Sequence, residues 1–331
     1  MPSEIFSVQR KIRSARLRYF GFLRFASRLV VSVLLVWLLF KSVPVSGVLD
    51  LLKPGMIPFI LASLLMYLTA QALCAFKWKV IAESLLPGIR FGIGLYAVLY
   101  CIGMFFSMFL PTTVGGDVAR TWYFAERTAK LKESATSVFI ERATGGFGLL
   151  SVLGVTYLLT DTQVLASLPL VGGFLENKAT AILIGMLGVL GVLAFWLLGK
   201  GLRWLNGMRV SLAPLFLAYF ISIVFYAGYG FAHYLLGFGL GLHVSFLYYA
   251  FFVALVSLVS MLPVTISGIG LREGGYVLCL RAAGVPLKSA TAFSLLWLLV
   301  LLLGASIGGI LYLVGLGRTL ERRVGSGFQH R

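Results

Sequence analysis

Residues 110–120 read Leu-Pro-Thr-Thr-Val-Gly-Gly-Asp-Val-Ala-Arg, and residues 262–272 read Leu-Pro-Val-Thr-Ile-Ser-Gly-Ile-Gly-Leu-Arg. Leu, Pro, Thr, Gly and Arg coincide at the same offsets, and each copy follows a long apolar run. A related phrase trails each copy, at 131–136 and at 287–291. The chain therefore contains an internal duplication. In membrane proteins, apolar segments broken by Pro or Gly at corresponding positions of two halves indicate a binding site between the repeats.

The composition indicates a membrane protein. Of 331 residues, 60% are hydrophobic and 12% are charged, whereas about 25% of a globular domain is charged. An apolar run of about 20 residues is long enough to cross the hydrocarbon core as a helix. These runs predict an all-α polytopic membrane protein of about eight transmembrane helices in two related halves. The predicted spans lie near residues 26–46, 56–76, 91–110, 143–160, 179–199, 212–238, 244–262 and 289–315.

The net charge of +17 would suggest nucleic acid as a partner of a soluble protein, but here the basic residues flank the apolar runs. Seven Lys or Arg fall within residues 1–28, so the positive-inside rule predicts a cytoplasmic N-terminus and a retained first span. This basic segment is either an interfacial helix on anionic lipid or a solvated charge run. The basic tail, residues 316–331, is expected to be cytoplasmic as well.

Loop charges conflict with simple alternation of the spans. With a cytoplasmic N-terminus, the segment from 111 to 142 falls outside, yet it carries five Lys or Arg. A parity change inside the first motif segment, undone inside the second, would restore the rule. The segments are either short broken helices that cross or re-entrant loops, with the charge count then imperfect. Both need irregular backbone at membrane depth, which only protein or a water-filled cavity can satisfy.

The motif residues predict how each segment is broken. A proline disfavours helical geometry in the preceding residue and removes a hydrogen-bond donor, so we expect the preceding helices to end there. The glycines that follow permit tight turns and close backbone approach. The predicted structural turns comprise Pro111, Gly115, Gly116, Pro263, Gly268 and Gly270.

Charged residues beside these turns are candidates for a substrate site, because ionised groups at membrane depth usually face a cavity and pair with one another. Asp117 and Arg120 are three residues apart and would share a helix face. Glu141 and Arg142 stand at the predicted mouth of the fourth span. Adjacent residues do not share a helix face, so the partner of Glu273 is expected in the other repeat rather than at the neighbouring arginine. The candidate substrate-binding residues are Thr113, Asp117, Arg120, Glu141, Arg142, Thr265, Arg272 and Glu273.

A structural interpretation competes with this one. Thr113 and Thr265 would then cap helices, and Asp117 would stabilise a helix dipole. The shared arginine in both copies favours the substrate site. Scattered Cys and His show no metal-ligand spacing, and no Walker A sequence occurs, so no metal, cofactor or catalytic residue is predicted. Trp78 lies near a predicted span end and is expected to anchor at the headgroups.

The combination of motifs resembles the transmembrane region of lysylphosphatidylglycerol synthases, also called the flippase-like domain family. The resemblance covers about residues 26 to 315, with repeat motifs at 110–142 and 262–291. It rests on Pro-x-Thr-x-x-Gly-Gly-Asp-x-x-Arg from Pro111, the Glu141-Arg142 pair, and Pro-x-Thr-x-x-Gly-x-Gly-x-Arg-Glu from Pro263. One departure is Ser267, where the family pattern more often has glycine.

The resemblance implies a bacterial or archaeal cytoplasmic-membrane protein that moves a phospholipid or lipid-linked headgroup between leaflets. The implied partners are anionic or phosphate-bearing lipids, with lipid-biosynthesis enzymes as further candidates. Larger members carry an aminoacyltransferase domain after the membrane region, and lipid aminoacylation is not expected here. Two alternatives stay open: a membrane-embedded transferase using Asp117 or Glu273 as a base, and a scaffold of a lipid-synthesis complex.

Overall fold

The computed structural model describes residues 30, 34, 37, 54–109, 114–160, 178–201, 211–262 and 264–315. Every regular element in these ranges is helical, and we number the α-helices from residue 54 onward. A short 3-10 turn, Pro54–Met56, precedes the first of them. The helices are α1 (Ile57–Leu85), α2 (Ile93–Phe109), α3 (Gly115–Thr128), α4 (Leu131–Leu159), α5 (Lys178–Gly201), α6 (Leu212–Gly239), α7 (Phe246–Ser260), α8 (Leu271–Ala282) and α9 (Leu287–Leu313).

The prediction of an all-α polytopic membrane protein is confirmed. Among the described residues, four helices, α1, α4, α6 and α9, are long and apolar enough to cross a membrane, and α2, α5 and α7 supply shorter apolar segments. These seven correspond to the predicted spans after the first. Apart from Val30, Leu34 and Trp37, the predicted span at 26–46 lies outside the described residues, as do the segments 1–28 and 316–331 and the residues Pro111, Thr113 and Pro263.

Helix α4 begins at Leu131, well before the predicted start at 143. The sequence from 131 to 142 is too polar to read as a span, but protein rather than lipid surrounds four of its polar side chains, Ser134, Thr136, Ser137 and Glu141. Trp78 Nε1 donates to Ser137 Oγ at 3.0 Å, and the hydroxyls of Thr128 and Ser134 lie 3.1 Å apart. Glu141 and Arg142 therefore lie inside a long helix and not at its mouth.

Helix α3 is amphipathic and folds back along α2. Phe124 on its buried face lies 5.5 Å from Tyr96 near the start of α2. At the other end of the pair, a side chain at Gly116 would collide with the carbonyl oxygen of Gly103. The helix ends at Thr128, and its C-cap Ala129 adopts a left-handed φ of 54° before α4 begins at Leu131. Helices α2 and α3 thus form an antiparallel hairpin.

The second motif forms a matching hairpin from α7 and α8. A Cβ on Gly275 of α8 would lie 3.1 Å from Val256 of α7. The turn between the helices contains three residues with positive φ: Ser267 at 53°, Gly268 at 74° and Gly270 at 85°. Glycine adopts such angles without the steric penalty that a side chain imposes. Gly268 and Gly270 therefore make the turn that their sequence positions predicted.

Two four-helix units share the same order of long and short helices. The first repeat, α1 to α4, has helices of 29, 17, 14 and 29 residues, and the second repeat, α6 to α9, has helices of 28, 15, 12 and 27. Their leading helices pack antiparallel, with Phe59 5.7 Å from Phe238 and Lys77 3.2 Å from Ser222. Helix α2 packs on α9, and α7 packs on α4. The repeats are therefore related by inversion.

The hairpins resolve the conflict in the loop charges. In the first repeat, α1 ends, α2 begins and α3 gives way to α4 at one end of the bundle, where Trp78, Tyr96 and Ser137 are in contact. In the second repeat, α8 gives way to α9 at the opposite end, where Phe293 lies 5.5 Å from Tyr249 at the start of α7. Each hairpin thus returns to the end at which its first helix began, because α3 reverses the direction of α2 and α8 reverses that of α7. The motif helices therefore change the parity of the helices that follow.

Candidate functional site

A cavity of about 330 Å³ lies between the two repeats. Residues of α1 to α4 line one side, and residues of α6 to α9 and the α7–α8 turn line the other. Five of the predicted substrate-binding residues line it: Asp117, Arg120, Glu141, Arg142 and Arg272. The structure therefore brings charged residues of both motifs to one cavity.

Five charged side chains of the first repeat form a continuous row that we call the charge chain: Lys77, Glu141, Arg120, Asp117 and Arg142. Cations and carboxylates alternate along it. Glu141 bridges Lys77 at 2.8 Å and Arg120 at 2.6 Å, and Asp117 bridges Arg120 and Arg142, each at 2.8 Å. Both ends of the row are cations.

The two ends of the charge chain differ in exposure. Lys77, Glu141 and Arg120 are buried, with side chains 2–3% exposed. Lys77 Nζ also donates to the Glu141 carbonyl oxygen and to Ser222 Oγ. Arg142 holds Asp117 through Nε and Nη2, yet 52% of its side chain is exposed. Since Arg142 lines the cavity, its guanidinium is the accessible end of the row.

Arg120 sits beneath the cavity between two aromatic rings. Its guanidinium carbon lies 4.8 Å from the Tyr100 ring centre and 5.2 Å from that of Trp78, distances at which cation–π attraction operates. Trp78 is fully buried and packs on Tyr96 and Phe124, so the expectation that it anchors at the headgroups is wrong. Because α1 continues to Leu85, Trp78 lies inside the bundle.

One donor of Arg120 is unused within the described part of the chain. Its Nη1 is buried and has no hydrogen-bond partner there, and the same holds for the hydroxyl of Ser260, which also lines the cavity. Buried donors without partners are uncommon in native proteins, because leaving them unpaired costs free energy. Both residues line the cavity, and the two donor atoms themselves are buried.

In the second repeat, Arg272 pairs with its own neighbour. Its Nε and Nη2 donate to Glu273 Oε1 at 3.0 and 2.8 Å, and the other carboxylate oxygen of Glu273 accepts from the Gly270 amide at 2.6 Å. The expected partner in the other repeat is therefore wrong. At the first turn of α8 the long arginine side chain folds back toward the helix start, where the capping carboxylate lies.

The motif arginines coincide in sequence but not in position on their helices. Helix α3 begins at Gly115, so Asp117 is its third residue, and α8 begins at Leu271, so Glu273 is its third residue. The acids occupy equivalent positions, while Arg120 lies three residues, just under one turn, beyond Asp117 and Arg272 directly precedes Glu273. This shift places Arg120 under the cavity and Arg272 at its wall.

Several predicted residues lie elsewhere. Gly115 and Gly116 are the first residues of α3 rather than a turn. Thr265 is buried, does not line the cavity and does not cap α8, whose N-cap is Gly270. Among the described residues, its hydroxyl has no hydrogen-bond partner. Because Gly116 has no side chain, α3 can approach α2 closely at this point.

Lys77 was not among the residues predicted for the site. Its signal was a lysine directly after the predicted span at 56–76, where it reads as the end of a helix. The structure extends α1 to Leu85, which puts the ammonium group inside the bundle. A lysine followed by a further amphipathic stretch could have indicated a continued helix, but not the partner, because Glu141 is distant in sequence.

Other candidates take packing roles. His233 is buried among aromatic rings, with Trp297 3.6 Å and Tyr276 4.8 Å away. Cys74 and Cys279 are buried and Cys101 is half-buried, all as free thiols. No group of three His, Cys, Asp or Glu in the described ranges is placed to hold a metal ion.

Comparison with known proteins agrees with this architecture. No curated protein matches the chain. The family described as lysylphosphatidylglycerol synthase TM region matches residues 25–309, which include both repeats and almost the whole of α9. The match covers most of the chain, and the helices it contains form a multi-pass membrane domain. The chain therefore belongs to the lysylphosphatidylglycerol synthase TM region family.

Proposed function

We propose that this protein moves a phospholipid or lipid-linked headgroup between the leaflets of a bacterial or archaeal cytoplasmic membrane. The observation that carries the proposal is a cavity between inverted repeats, lined by Arg142 and Arg272 and underlain by a buried donor of Arg120. Arginine suits phosphate because its planar fork of donors binds two oxygens and keeps its charge. The acyl chains would stay in the bilayer while the headgroup enters the cavity.

The inverted repeats support transport over chemistry at one centre. In transporters, inverted-topology repeats place the substrate at their interface, beside discontinuous helices, and alternate access by moving against each other. Here the hairpins supply the discontinuities, and the tips of both contribute to the cavity through Ser107 and Ser267. A transferase has no need of two inverted halves.

The distribution of basic residues supports a cytoplasmic N-terminus. The bundle end at which α1 ends and α4 begins carries Arg90, Arg127, Lys130 and Lys132. By the positive-inside rule this end faces the cytoplasm. Since α1 runs toward it, the span predicted near residues 26–46 would place the basic N-terminus on the same side.

Lipid exchange in proteoliposomes tests the proposal. Phospholipids with fluorescent acyl chains are incorporated in both leaflets, and a membrane-impermeant quencher reports the fraction that reaches the outer leaflet. Arg142→Gln and Arg272→Gln are expected to slow exchange by about tenfold or more, since each loses a charge-assisted hydrogen bond to phosphate. Arg281→Gln is the matched control, because Arg281 is an exposed arginine of α8 outside the cavity.

Arg142 is a better target than Arg120, which holds the middle of the charge chain and whose removal would disturb folding. Each variant is compared with wild type for thermal unfolding in detergent. Equal exchange by all four proteins would contradict the cavity site. Failure of wild type to exchange any phospholipid or polyprenyl phosphate would contradict transport and favour the transferase or scaffold alternative.

A further inference from the structure

The end of α2 and the turn between α7 and α8 meet across the two repeats. The hydroxyl of Ser267, in that turn, donates to the backbone carbonyl of Ser107 at 2.5 Å, and both residues line the cavity. The residue four positions after Ser107 is Pro111, which has no N–H to complete a helical hydrogen bond. The proline therefore leaves a carbonyl of the first repeat available to a donor from the second.

The equivalent positions of the two motifs do not repeat this bond. The corresponding carbonyl of the second repeat belongs to Val259, four residues before Pro263, and it accepts from the amide of Leu262 in its own turn at 3.1 Å. The residue that corresponds to Ser267 in the first motif is Gly115, which has no hydroxyl. The contact is thus a feature of one hairpin and not a consequence of the repeated fold.

The contact lies about halfway through the bundle. Helices α2 and α7 begin at opposite ends and have 17 and 15 residues, so their lengths are about 25 and 22 Å. Placed end to end they nearly match α1, whose 29 residues extend for about 43 Å. Both helices therefore end near the middle of the membrane, where Ser107 and Ser267 touch.

We propose that this contact is a gate across the cavity and that the Ser267 hydroxyl holds it closed. The inference rests on the proposed transport function, because a headgroup that crosses between leaflets must pass the depth at which the two repeats touch. In a protein that alternates access by moving inverted repeats against each other, a bond between the repeats stabilises the state in which it forms. Ser267 is thus a positioning residue that sets the rate of exchange through the population of the open gate.

Two substitutions remove the bond and differ in their effect on the backbone. Ser267→Gly and Ser267→Ala both lack the hydroxyl, but only alanine keeps a side chain at a φ of 53°. In the proteoliposome assay each is expected to exchange lipid about fivefold faster than wild type, since loss of one hydrogen bond raises the open population by that factor. Acceleration by only one of them would follow backbone strain instead of the bond and would overturn the gate. An unchanged or slower rate in both would overturn it as well.

Ser306→Ala is the matched control. Its hydroxyl also donates to a backbone carbonyl, that of Leu302 at 2.8 Å, but the bond lies within α9 at an exposed position outside the cavity. This variant is expected to exchange lipid at the rate of wild type. An equal acceleration by Ser306→Ala would show that loss of any such bond speeds exchange, and it would overturn the gate.

The native thiol of Cys74 supplies a readout that does not depend on lipid transport. Cys74 is buried and lines the cavity, so an impermeant, water-soluble thiol reagent reaches it only as access opens. In a Cys101→Ala/Cys279→Ala background, Ser267→Gly is expected to raise the rate of modification about fivefold from the face that the closed gate separates from Cys74. An unchanged rate from both faces would overturn the gate.

The two readouts separate the gate from transport. No exchange by wild type, together with faster modification of Cys74 in Ser267→Gly, would overturn the proposed transport and leave a gated cavity. Exchange by wild type, with no response of either readout to the loss of the Ser267 hydroxyl, would overturn the gate and leave transport.

Cross-linking tests the movement itself. In a background where the three cysteines are alanine, a short bifunctional thiosulfonate joins Met108→Cys to Ser267→Cys, at two positions that line the cavity. Exchange is expected to be lost and to recover when a reductant releases the link. The control joins Val256→Cys to Gly275→Cys within one hairpin, where a Cβ on Gly275 would lie 3.8 Å from that of Val256, a distance typical of a disulfide. Continued exchange by the protein linked at 108 and 267, or equal inhibition by the control link, would overturn the gate.

Discussion

Ser267 Oγ donates a hydrogen bond of 2.5 Å to the backbone carbonyl of Ser107 and so joins the tips of the two hairpins. Ser107 lies near the end of α2 in the first repeat, and Ser267 lies in the α7–α8 turn of the second. Ser267 has a φ of 53°, a conformation that favours glycine. The departure from the family pattern at this position therefore costs backbone strain and adds a contact between the repeats.

Two substitutions separate these effects. Ser267→Ala removes the hydrogen bond and keeps the strained backbone, so we expect it to lower stability by about 1 kcal/mol. Ser267→Gly also removes the bond but relieves strain of about 1–2 kcal/mol, so it should be at least as stable as wild type. Thermal unfolding in detergent, followed by tryptophan fluorescence, measures both. Equal unfolding temperatures for the two variants would contradict the strained turn.

Lys77→Met is expected to be strongly destabilising. It leaves Glu141 buried with one fewer cation, and breaking a buried ion pair costs about 3–5 kcal/mol. Lys79→Met is the control: Lys79 pairs with Glu83 at 2.8 Å in a partly exposed position, where such pairs contribute about 0–1 kcal/mol. Unfolding in detergent compares the two. Similar losses of stability for both variants would show that the buried pair of Lys77 contributes no more than the partly exposed pair of Lys79.

Gly116→Ala is expected to disturb the first hairpin. The added methyl group would collide with the Gly103 carbonyl and the Ser107 hydroxyl, and overpacking of this kind costs about 1–3 kcal/mol. Gly94→Ala on α2 is the control, since a Cβ there meets nothing within 4 Å, and alanine favours a helix by about 1 kcal/mol over glycine. We expect the unfolding temperature to fall for Gly116→Ala and to rise for Gly94→Ala. A Gly116→Ala protein as stable as wild type would contradict the close approach of α3 to α2.

The inverted arrangement predicts on which side of the membrane two helix starts lie, that of α4 after Lys130 and that of α9 at Lys288. Cysteines replacing Lys130 and Lys288, in a background where Cys74, Cys101 and Cys279 are alanine, should react with an impermeant thiol reagent from opposite sides of the membrane. The cysteine at 130 should be labelled only after the cytoplasmic face is opened. Labelling of both positions from one side would contradict the inverted arrangement of the two repeats.

Much of the fold was readable along the chain. Long apolar runs placed seven helices to within a few residues at most ends, because burial in lipid requires apolar side chains over a fixed length. The start of α4 was missed for the same reason: Ser134 and Ser137 are polar, and only contacts with α1 and α3 hide them from lipid. Hydropathy indicates whether lipid or water surrounds a segment. Other helices of the protein can surround a polar segment instead and hide it from lipid.

The candidate site was readable in part. The spacing of Asp117 and Arg120 predicted their pairing, because both lie on one helix and the helix fixes their distance. Lys77 and Ser267 were not assigned to the site, and the partner of Glu273 was assigned wrongly. The first two depend on contacts with residues far along the chain, and the third depends on where α8 begins.

By itself, the sequence determined that this is a helical membrane protein with a duplicated, charge-bearing motif, since composition and repetition are properties of the chain. Only the tertiary structure decided that the motifs are hairpins in inverted repeats and that Lys77 joins the charge chain. Directions of helices and balances of charge depend on which residues meet across the bundle. Those distances are set by packing, not by the order of residues.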